Sequence, residues 1–371
     1  MFTRMTMPMN KILYCLLILL PCFGYTQSNR FIISGKVVDA ISHQPLELAS
    51  VFAQNTTIGT ATNKTGEFSL LLPEGGYDLV ITFTGYKTVV KRISAGSDSK
   101  KLLQVEMTRN TQQLDAVVIT ATKPEKEGWF FYGDLFLSNF IGTTPNGQKC
   151  TIKNKEALRF YFLKEKNLLK VTAAVPLIIT NESLGYTIRY SIDSFVYNYN
   201  SKETVATGNP FFEEIIPVDD KQKKTWASNR EHTYKGSLLH FMRSLYQRQL
   251  KADGFEVKAF KKDDIEKKAI PVIDIYEAMK YNKNDSSGTV NIMPKYPMLQ
   301  VNYLKNKPDY EYMNNYPQGF TKFQISTLYF TSGKTISIEP NGYFYSQYDV
   351  ATGNYLAWKR IGDLLPYDYK F

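Results

Sequence analysis

The sequence predicts a mainly β protein with two domains. Between residues 31 and 108, short apolar runs alternate with turn residues, which is typical of a small antiparallel β-sandwich. Alternating runs such as 186–199 predict further antiparallel hairpins in a larger C-terminal region. One segment, 237–254, has the spacing of an amphipathic helix. We therefore expect a seven-stranded β-sandwich over residues 27–110, a linker over 111–127 and a β-rich α+β domain over 128–371.

Residues 1–26 have the pattern of a secretory signal peptide. Basic residues precede the apolar run Ile12–Phe23, which is shorter than the roughly 20 residues of a membrane span. Small residues predict cleavage after Thr26, and the alternative is a lipoprotein signal acylated at Cys22. We expect an exported protein of the periplasm, outer membrane or cell surface. No transmembrane helix is expected once the signal is removed.

The expected strands of the front domain are bounded by turn signals. Asn63–Gly66 and Pro73–Gly76 are turns in which glycine accepts a positive φ at low cost. The side chains expected inside the sandwich are Phe68, Leu70, Leu79, Ile81 and Phe83. The seven expected strands are Phe31–Val37, Leu48–Gln54, Ile58–Thr62, Phe68–Leu72, Tyr77–Phe83, Lys87–Ile93 and Leu102–Met107.

This stretch resembles the carboxypeptidase regulatory-like domain of bacterial envelope proteins. The segments that carry the resemblance are Gly35–Asp39, Pro45–Leu46, Ala49–Val51, Gly59–Thr60, Thr62–Asn63, Gly66–Phe68, Gly75–Tyr77 and Thr84–Tyr86. The resemblance implies a transthyretin-like (prealbumin-like) sandwich with no catalytic role of its own. Leu114–Lys123 resembles the segment that joins this domain to the plug of TonB-dependent receptors. The remaining chain is too short for a plug and the large barrel of such a receptor.

The C-terminal domain opens with aromatic residues after Gly128 and continues mainly as strands. The expected strands are Ala157–Leu163, Leu168–Ile179, Tyr186–Tyr199, Thr289–Met293, Met298–Tyr303, Phe323–Phe330, Thr335–Ile338 and Gly342–Tyr348. One helix is expected, which begins after a cap at Ser237 and ends at Gly254. Its apolar residues recur on one face, so we expect this helix to pack on a sheet.

The composition argues against several classes of function. The net charge of +10 becomes +8 without the signal, and export makes nucleic acid an unsuitable partner. Cys150 is the one cysteine beyond the signal, and the three histidines form no His-Glu-x-x-His pattern. We therefore expect neither a metal site nor a zinc peptidase. No P-loop, nucleophile elbow or dinucleotide-binding glycine motif is present. The sequence predicts a protein that is not an enzyme and needs no cofactor.

The candidate ligand-binding residues precede the expected helix. They are Trp226, Asn229, Arg230, Tyr234 and Lys235, with His232 among them. The start of a helix attracts anions, the two cations add charge, and the aromatic rings can stack on a sugar. In the alternative interpretation, Trp226 and Tyr234 are core residues and Arg230 pairs with a nearby carboxylate.

The leading hypothesis for function is a non-enzymatic envelope protein that binds a protein partner or a polysaccharide. One alternative is a glycan or peptide hydrolase that uses Asp193, Glu213 and Glu214, which requires two carboxyl groups about 5–9 Å apart. A second alternative is a small outer-membrane barrel, because the last residues alternate and end in Phe371. The expected helix and the charged run Lys258–Lys268 interrupt the strand pattern of such a barrel.

Overall fold

The computed structural model describes residues 30–95, 98, 101–110, 123–260, 269–316, 321–345 and 347–371. The predicted signal peptide, its cleavage site and residues 111–122 of the predicted linker lie outside these residues. The fold is mainly β, with 41% strand and 23% helix, and this confirms the predicted fold class. In the part of the chain that the structure describes, no helix is long and apolar enough to cross a lipid bilayer.

The front unit is the predicted seven-stranded sandwich. Its strands are β1 (Arg30–Asp39), β2 (Ser50–Ala53), β3 (Gly59–Ala61), β4 (Glu67–Pro73), β5 (Gly76–Thr82), β6 (Val89–Ser94) and β7 (Leu103–Met107). One sheet has the order β4-β1-β7 and the other has the order β3-β2-β5-β6. The β1–β7 pair is parallel, so the expectation of purely antiparallel pairing was wrong for this pair. The last strand crosses from the second sheet and joins β1 in the same direction.

The core of the sandwich contains most of the side chains that the alternation predicts. Phe68, Leu70, Leu79 and Ile81 are buried between the sheets. Phe83 lies beyond the end of β5 and is only half-buried, so its predicted position inside the core was wrong.

Asp39, at the end of β1, ties together the loops at one end of the sandwich. Its carboxylate accepts hydrogen bonds from the backbone N–H groups of Ile41 (3.0 Å) and Ser42 (2.8 Å). It also accepts bonds from the Tyr86 hydroxyl (2.7 Å) and from Arg109 Nε (3.1 Å). The bonds from Ser42, Tyr86 and Arg109 hold the pKa of Asp39 below its ordinary value. Asp39 and Tyr86 both belong to segments that carry the family resemblance, which therefore has a structural basis.

The C-terminal region contains three further sheets and more helices than the one expected. The helices in the described residues are α1 (Gly128–Phe140), α2 (Asp220–Tyr234), α3 (Leu238–Tyr246), α4 (Leu250–Asp253), α5 (Ile275–Ala278), α6 (Tyr310–Asn315) and α7 (Tyr355–Trp358). The aromatic opening after Gly128 is therefore a helix. Its Phe136 and Phe140 pack against Phe195 of the adjoining sheet.

The first C-terminal sheet is built around one long strand. The strands are β8 (Cys150–Ile152), β9 (Leu158–Leu163), β10 (Leu168–Ala173), β11 (Leu177–Asn181), β12 (Tyr186–Asn198) and β13 (Glu203–Glu214). One edge of β12 pairs with β11 and then β10, and the other edge pairs with β13. The predicted strand Leu168–Ile179 is divided into β10 and β11 around Pro176, because proline cannot donate to a strand ladder.

The other two sheets complete the C-terminal region. Their strands are β14 (Phe255–Phe260), β15 (Ala269–Pro271), β16 (Asn282–Asn284), β17 (Thr289–Ile292), β18 (Met298–Tyr303), β19 (Gln324–Phe330), β20 (Ile336–Ile338) and β21 (Val350–Asn354). The orders are β15-β14-β18-β19-β21 and β16-β17-β20. The predicted strand Gly342–Tyr348 was wrong, since among its described residues only Phe344 bridges to Ile338.

The predicted helix over 237–254 begins and ends where expected but is not continuous. Ser237 Oγ accepts the N–H of His240 at 3.1 Å, and Gly254 closes the segment with a φ of +98°. Between α3 and α4, Arg248 has a φ of +58°, which a helix does not allow. Phe241, Met242 and Leu245 of α3 are buried against the second C-terminal core, as predicted.

The sandwich is attached to the C-terminal region through the outer face of its larger sheet. Phe52 and Val80, which pair across β2 and β5 on that outer face, are both buried. The ring of Phe52 lies 5.1 Å from the ring of Phe211 on β13. The alternation of β5 is therefore obscured, because both faces of this strand are apolar and covered.

Backbone hydrogen bonds add to this attachment. The N–H of Asn55 donates to Pro210 O at 2.7 Å, and the N–H of Phe212 donates to Thr56 O at 2.9 Å. The N–H of Tyr367 donates to Asn55 O at 2.7 Å. The alternating C-terminal residues thus form an irregular segment against the sandwich.

Candidate functional site

The predicted ligand-binding residues lie on a helix of their own. Trp226, Asn229, Arg230 and Tyr234 belong to α2, and Lys235 follows its last residue. Asp219 caps this helix by accepting the N–H of Gln222 at 2.7 Å. The residues therefore do not surround the start of the next helix, α3, which was the basis of the predicted anion site.

Three of these side chains hold the turn between β11 and β12. Trp226 Nε1 donates to Glu182 O at 2.8 Å, and Asn229 Nδ2 donates to Ser183 O at 2.8 Å. Arg230 Nε donates to the carbonyl of the next residue, Leu184, at 2.7 Å. Successive carbonyl groups of one turn are thus satisfied by successive donors of one helix face. These contacts give the polar helix α2 its place in the fold.

Arg230 is largely enclosed, as the alternative interpretation of this residue expects. Its side chain is 16% exposed, and Nη2 also donates to Gly185 O at 3.2 Å. Nη1 lies 3.0 Å from Glu214 Oε1, and the guanidinium carbon lies 3.9 Å from the centre of the Tyr186 ring. The structural interpretation of Arg230 is therefore favoured over ligand binding.

Tyr234 and Lys235 also make contacts within the protein. Tyr234 is buried, and its ring stacks on that of Phe371 with centres 4.9 Å apart. Lys235 Nζ lies 2.6 Å from Glu231 Oε1. Neither residue presents a free aromatic face and cation to a common ligand.

We expect replacement of Arg230 by alanine to lower the free energy of unfolding by about 2–3 kcal/mol. The change leaves the buried carbonyl group of Leu184 without its charged donor, whereas Gly185 O still accepts the N–H of Ile215. Chemical denaturation measures the loss. Lys235→Ala is the matched control, because its exposed pair with Glu231 contributes only a few tenths of a kcal/mol. Equal, small effects in both variants contradict the structural role of Arg230.

A polar pocket lies beside α2, next to the turn that Asn229 contacts. Its volume is about 260 Å³. The residues that line it are Pro145, Asn146, Ser183, Asn229, His232, Asp309, Tyr310, Glu311, Lys359 and Asp363. Asn229 and His232 come from the predicted stretch, whereas Asp309, Lys359 and Asp363 come from distant loops. The predicted ligand-binding stretch therefore forms one wall of the pocket.

The environments of the two aspartates in this pocket differ. Asp309 Oδ1 lies 2.8 Å from His232 Nε2, and Asp309 Oδ2 accepts the Tyr355 hydroxyl at 2.9 Å. Burial pushes the pKa of Asp309 up, but the hydrogen bond from His232 and the charge of Lys359 outweigh it, so the pKa lies below its ordinary value. Burial raises the pKa of Asp363, which accepts bonds from Thr144 and Asn146.

Three polar groups of the pocket are available to a ligand. Within the described residues, the Lys359 ammonium, His232 Nδ1 and Asn229 Oδ1 have no hydrogen-bond partner. Tyr310 stands beside them with 68% of its surface exposed. The pocket therefore combines free donors and acceptors with an accessible aromatic side chain.

The carboxylates proposed for a hydrolase are not brought together. Glu213 is opposite Thr187 in the β12–β13 register, six residues from Asp193, which corresponds to about 20 Å along a strand. Glu213 pairs with Arg189 at 2.9 Å, and Asp193 accepts bonds from Asn209 at 3.2 Å. Asp193 and the pair Glu213–Glu214 are thus too far apart for acid–base work on one glycosidic bond, so this assignment was wrong.

The remaining thiol and the metal-ligating side chains give no further site. Burial raises the pKa of the Cys150 thiol to about 12, so the thiol is protonated at neutral pH. Among the residues that the structure describes, no three His, Cys, Asp or Glu side chains are arranged to hold a metal ion.

Two solved structures share weak similarity with the chain. A 9R-lipoxygenase from Cyanothece PCC8801 is 9% identical with a TM-score of 0.17, and the match covers 58% of this chain and 48% of the lipoxygenase. A Ca²⁺-stabilized adhesin that helps an Antarctic bacterium bind ice is 11% identical with a TM-score of 0.13, over 90% of this chain and 62% of the adhesin. Neither similarity establishes a shared fold.

The chain thus spans less than two thirds of either structure. No curated protein matches its sequence. The family model described as CarboxypepD_reg-like domain matches residues 33–119, which include all but the first residues of the seven-stranded sandwich. The chain therefore carries a carboxypeptidase regulatory-like domain at its front.

Proposed function

We propose that this protein is a non-enzymatic binding protein of the cell envelope whose polar pocket holds a polyhydroxylated ligand, a glycan. The observation that carries the proposal is the convergence of Asn229, His232, Lys359 and the exposed Tyr310 on one pocket. Sugars offer hydroxyl groups to such polar side chains and a C–H face to an aromatic ring. The predicted signal peptide and the front domain support a location in the envelope.

The charge distribution in the pocket suits a neutral glycan better than an anion. Asp309, Glu311 and Asp363 face the single ammonium of Lys359, with His232 beside them. A strongly anionic polymer would meet more negative than positive groups at close range. Hydroxyl groups, in contrast, donate to carboxylates and accept from the ammonium.

One observation favours hydrolysis of the same ligand as a second candidate. The pKa values of Asp309 and Asp363 are displaced in opposite directions within one pocket, as in acid–base pairs of glycosidases. Asp363 is buried, however, and both of its oxygens already accept bonds from Thr144 and Asn146. These bonds are suited to positioning Asn146, so binding remains the better supported function.

Co-sedimentation with an insoluble neutral polysaccharide and calorimetry with soluble neutral oligosaccharides test the proposal. We expect saturable binding by the wild type and about tenfold weaker binding by Tyr310→Ala and His232→Ala, since each contact contributes about 1.4 kcal/mol. Tyr348→Ala is the matched control, because Tyr348 is similarly exposed outside the pocket. Absence of binding to every glycan, or equal binding by all variants, overturns the proposal. Release of soluble sugar that Asp309→Asn abolishes supports the hydrolase instead.

A further inference from the structure

A row of aromatic rings crosses the surface where the start of α1 meets the end of the first C-terminal sheet. The centres of successive rings are between 5.0 and 6.3 Å apart, so the rings form one continuous surface. The row begins on the first turn of α1, continues on β9 and ends at the last residues of β12. We call this row the aromatic strip, and its members are Phe130, Phe131, Tyr132, Phe162, Tyr199 and Tyr197.

The strip is most exposed at its helical end. Phe130 and Phe131 are 81% and 64% exposed, although both are large and apolar. Within the described part of the chain, the hydroxyl groups of the three tyrosines are neither hydrogen-bonded to protein nor buried. Further along the exposed face of α1, Asp134 and Ser138 are polar. The large exposed apolar side chains of this helix are therefore confined to its first turn.

The side chains of the strip are of the types that suit a boundary between water and lipid. Phenylalanine has no polar group, so covering Phe130 and Phe131 with an apolar phase is favourable. Tyrosine combines an apolar ring with a polar end and is enriched at the head-group level of membranes. A sugar needs polar partners for its hydroxyl groups, and the two exposed phenylalanines supply none.

Positive charge borders the strip on the side of β9. The ammonium group of Lys155 lies 5.4 Å from the centre of the Trp129 ring at the start of α1. Residues 153–159 and 164–170 each contain three basic residues and one acidic residue, so each segment has a net charge of +2. The stretch 123–127 before α1 has two lysines and two glutamates and is neutral. This surface therefore attracts anionic head groups, which favour nearby lysine and arginine side chains.

We propose that the aromatic strip is the surface through which this protein docks on a phospholipid membrane that contains anionic lipid. Phe130 and Phe131 insert between the head groups and the acyl chains, and the tyrosine rings lie at head-group level. Ser183 of the glycan pocket precedes β12, whereas Tyr197 lies near the other end of this 13-residue strand. The two surfaces are thus separate, and membrane docking does not rest on glycan binding.

Flotation of the mature chain with vesicles of defined composition tests the proposal. Residues 1–26 are left out, because their apolar run would itself bind lipid. We expect saturable binding to vesicles of phosphatidylethanolamine and phosphatidylglycerol, and about tenfold weaker binding to phosphatidylcholine alone. Raising the salt concentration is expected to weaken the first but not the second. Lys155→Gln is expected to weaken binding to the anionic vesicles about fivefold.

Variants of the exposed apolar residues locate the docking surface. We expect Phe130→Ser to bind the anionic vesicles about tenfold more weakly, because one aromatic side chain no longer enters the membrane. Ile216→Ser is the matched control, since Ile216 is 88% exposed and follows β13 at the opposite end of the β12–β13 pair. Both variants are expected to melt at the wild-type temperature. Tyr310→Ala is expected to bind vesicles normally, which separates this test from that of the glycan pocket.

A measurement on the wild type needs no variant. Trp129 directly precedes Phe130 and is only partly buried, whereas Trp226 and Trp358 are buried elsewhere in the C-terminal region. We expect anionic vesicles with brominated acyl chains to quench part of the tryptophan fluorescence, and vesicles without bromine to leave it unquenched.

The other possible occupants of the strip give different results. A second copy of the chain predicts a dimer in sedimentation that Phe130→Ser dissociates, without binding to vesicles. A polysaccharide predicts co-sedimentation that Phe130→Ser weakens, again without binding to vesicles. Either result overturns membrane docking. Equal vesicle binding by Phe130→Ser and Ile216→Ser, or a lack of both binding and quenching in the wild type, overturns it as well.

Discussion

Replacing Arg92 by alanine is expected to lower the free energy of unfolding by about 3–5 kcal/mol, because it leaves a buried carboxylate without its partner. Arg92 Nη2 lies 3.0 Å from Glu339 Oε1, and the side chain of Glu339 is only 3% exposed. The guanidinium carbon lies 3.5 Å from the centre of the Tyr345 ring. Arg92 belongs to the sandwich and Glu339 to the C-terminal region, so this pair fastens one to the other.

Urea denaturation of the full chain measures this loss, and two further variants make the result specific. Arg189→Ala removes an ion pair whose partners are both largely exposed, so we expect a loss below about 1 kcal/mol. The double variant Arg92→Met, Glu339→Met removes both charges and is expected to recover most of the stability that Arg92→Ala loses. A loss in Arg92→Ala no larger than that in Arg189→Ala means that the pair does not fasten the two regions.

The front sandwich is predictable from the sequence because its signals are local. Period-two alternation in β1 and β4 and the turn at Asn63–Gly66 each lie within about ten residues. The parallel pairing of β7 with β1 is not local, since it depends on a crossover between sheets. The attachment surface is also marked in the sequence by apolar residues. Phe52 and Val80 are apolar on the face that an isolated sandwich would present to water.

The helix α2 shows what sequence periodicity misses. It is polar around most of its circumference, and only Trp226, Thr233 and Tyr234 are buried. Its place depends on side-chain bonds to the turn at 182–185, which is more than 40 residues earlier in the chain. No pattern within the helix itself encodes these partners, so the sequence indicates only a candidate ligand-binding stretch before the next helix.

For the same reason, the sequence indicates only the residues of one wall of the pocket. Asn229 and His232 lie in a stretch that is dense in polar and aromatic residues. Asp309 lies in a loop far from Lys359 and Asp363, which belong to one later segment, and only the tertiary fold brings these residues to His232. Asp309 occupies the cap position of α6 without capping it, because His232 and Tyr355 engage its two oxygens.

Leu79→Ala is expected to lower the free energy of unfolding by about 2–5 kcal/mol, the usual range for truncating a fully buried leucine. Leu79 lies on β5, between its neighbours β2 and β6, and its side chain is 0% exposed. Leu71→Ala on β4 is the matched control, because Leu71 is about half exposed and its truncation creates no cavity. A loss below about 0.5 kcal/mol for Leu79→Ala means that the inward face of β5 is wrongly assigned.

The same variant tests whether the sandwich unfolds together with the rest of the chain. All three tryptophans, Trp129, Trp226 and Trp358, lie in the C-terminal region, so their fluorescence reports that region alone. Because Phe52 packs on Phe211 and Arg92 pairs with Glu339, we expect Leu79→Ala to shift the fluorescence transition and the far-ultraviolet circular dichroism transition together. A fluorescence transition that stays at the wild-type midpoint, while circular dichroism shows an earlier phase, means that the sandwich is an independent folding unit despite these contacts.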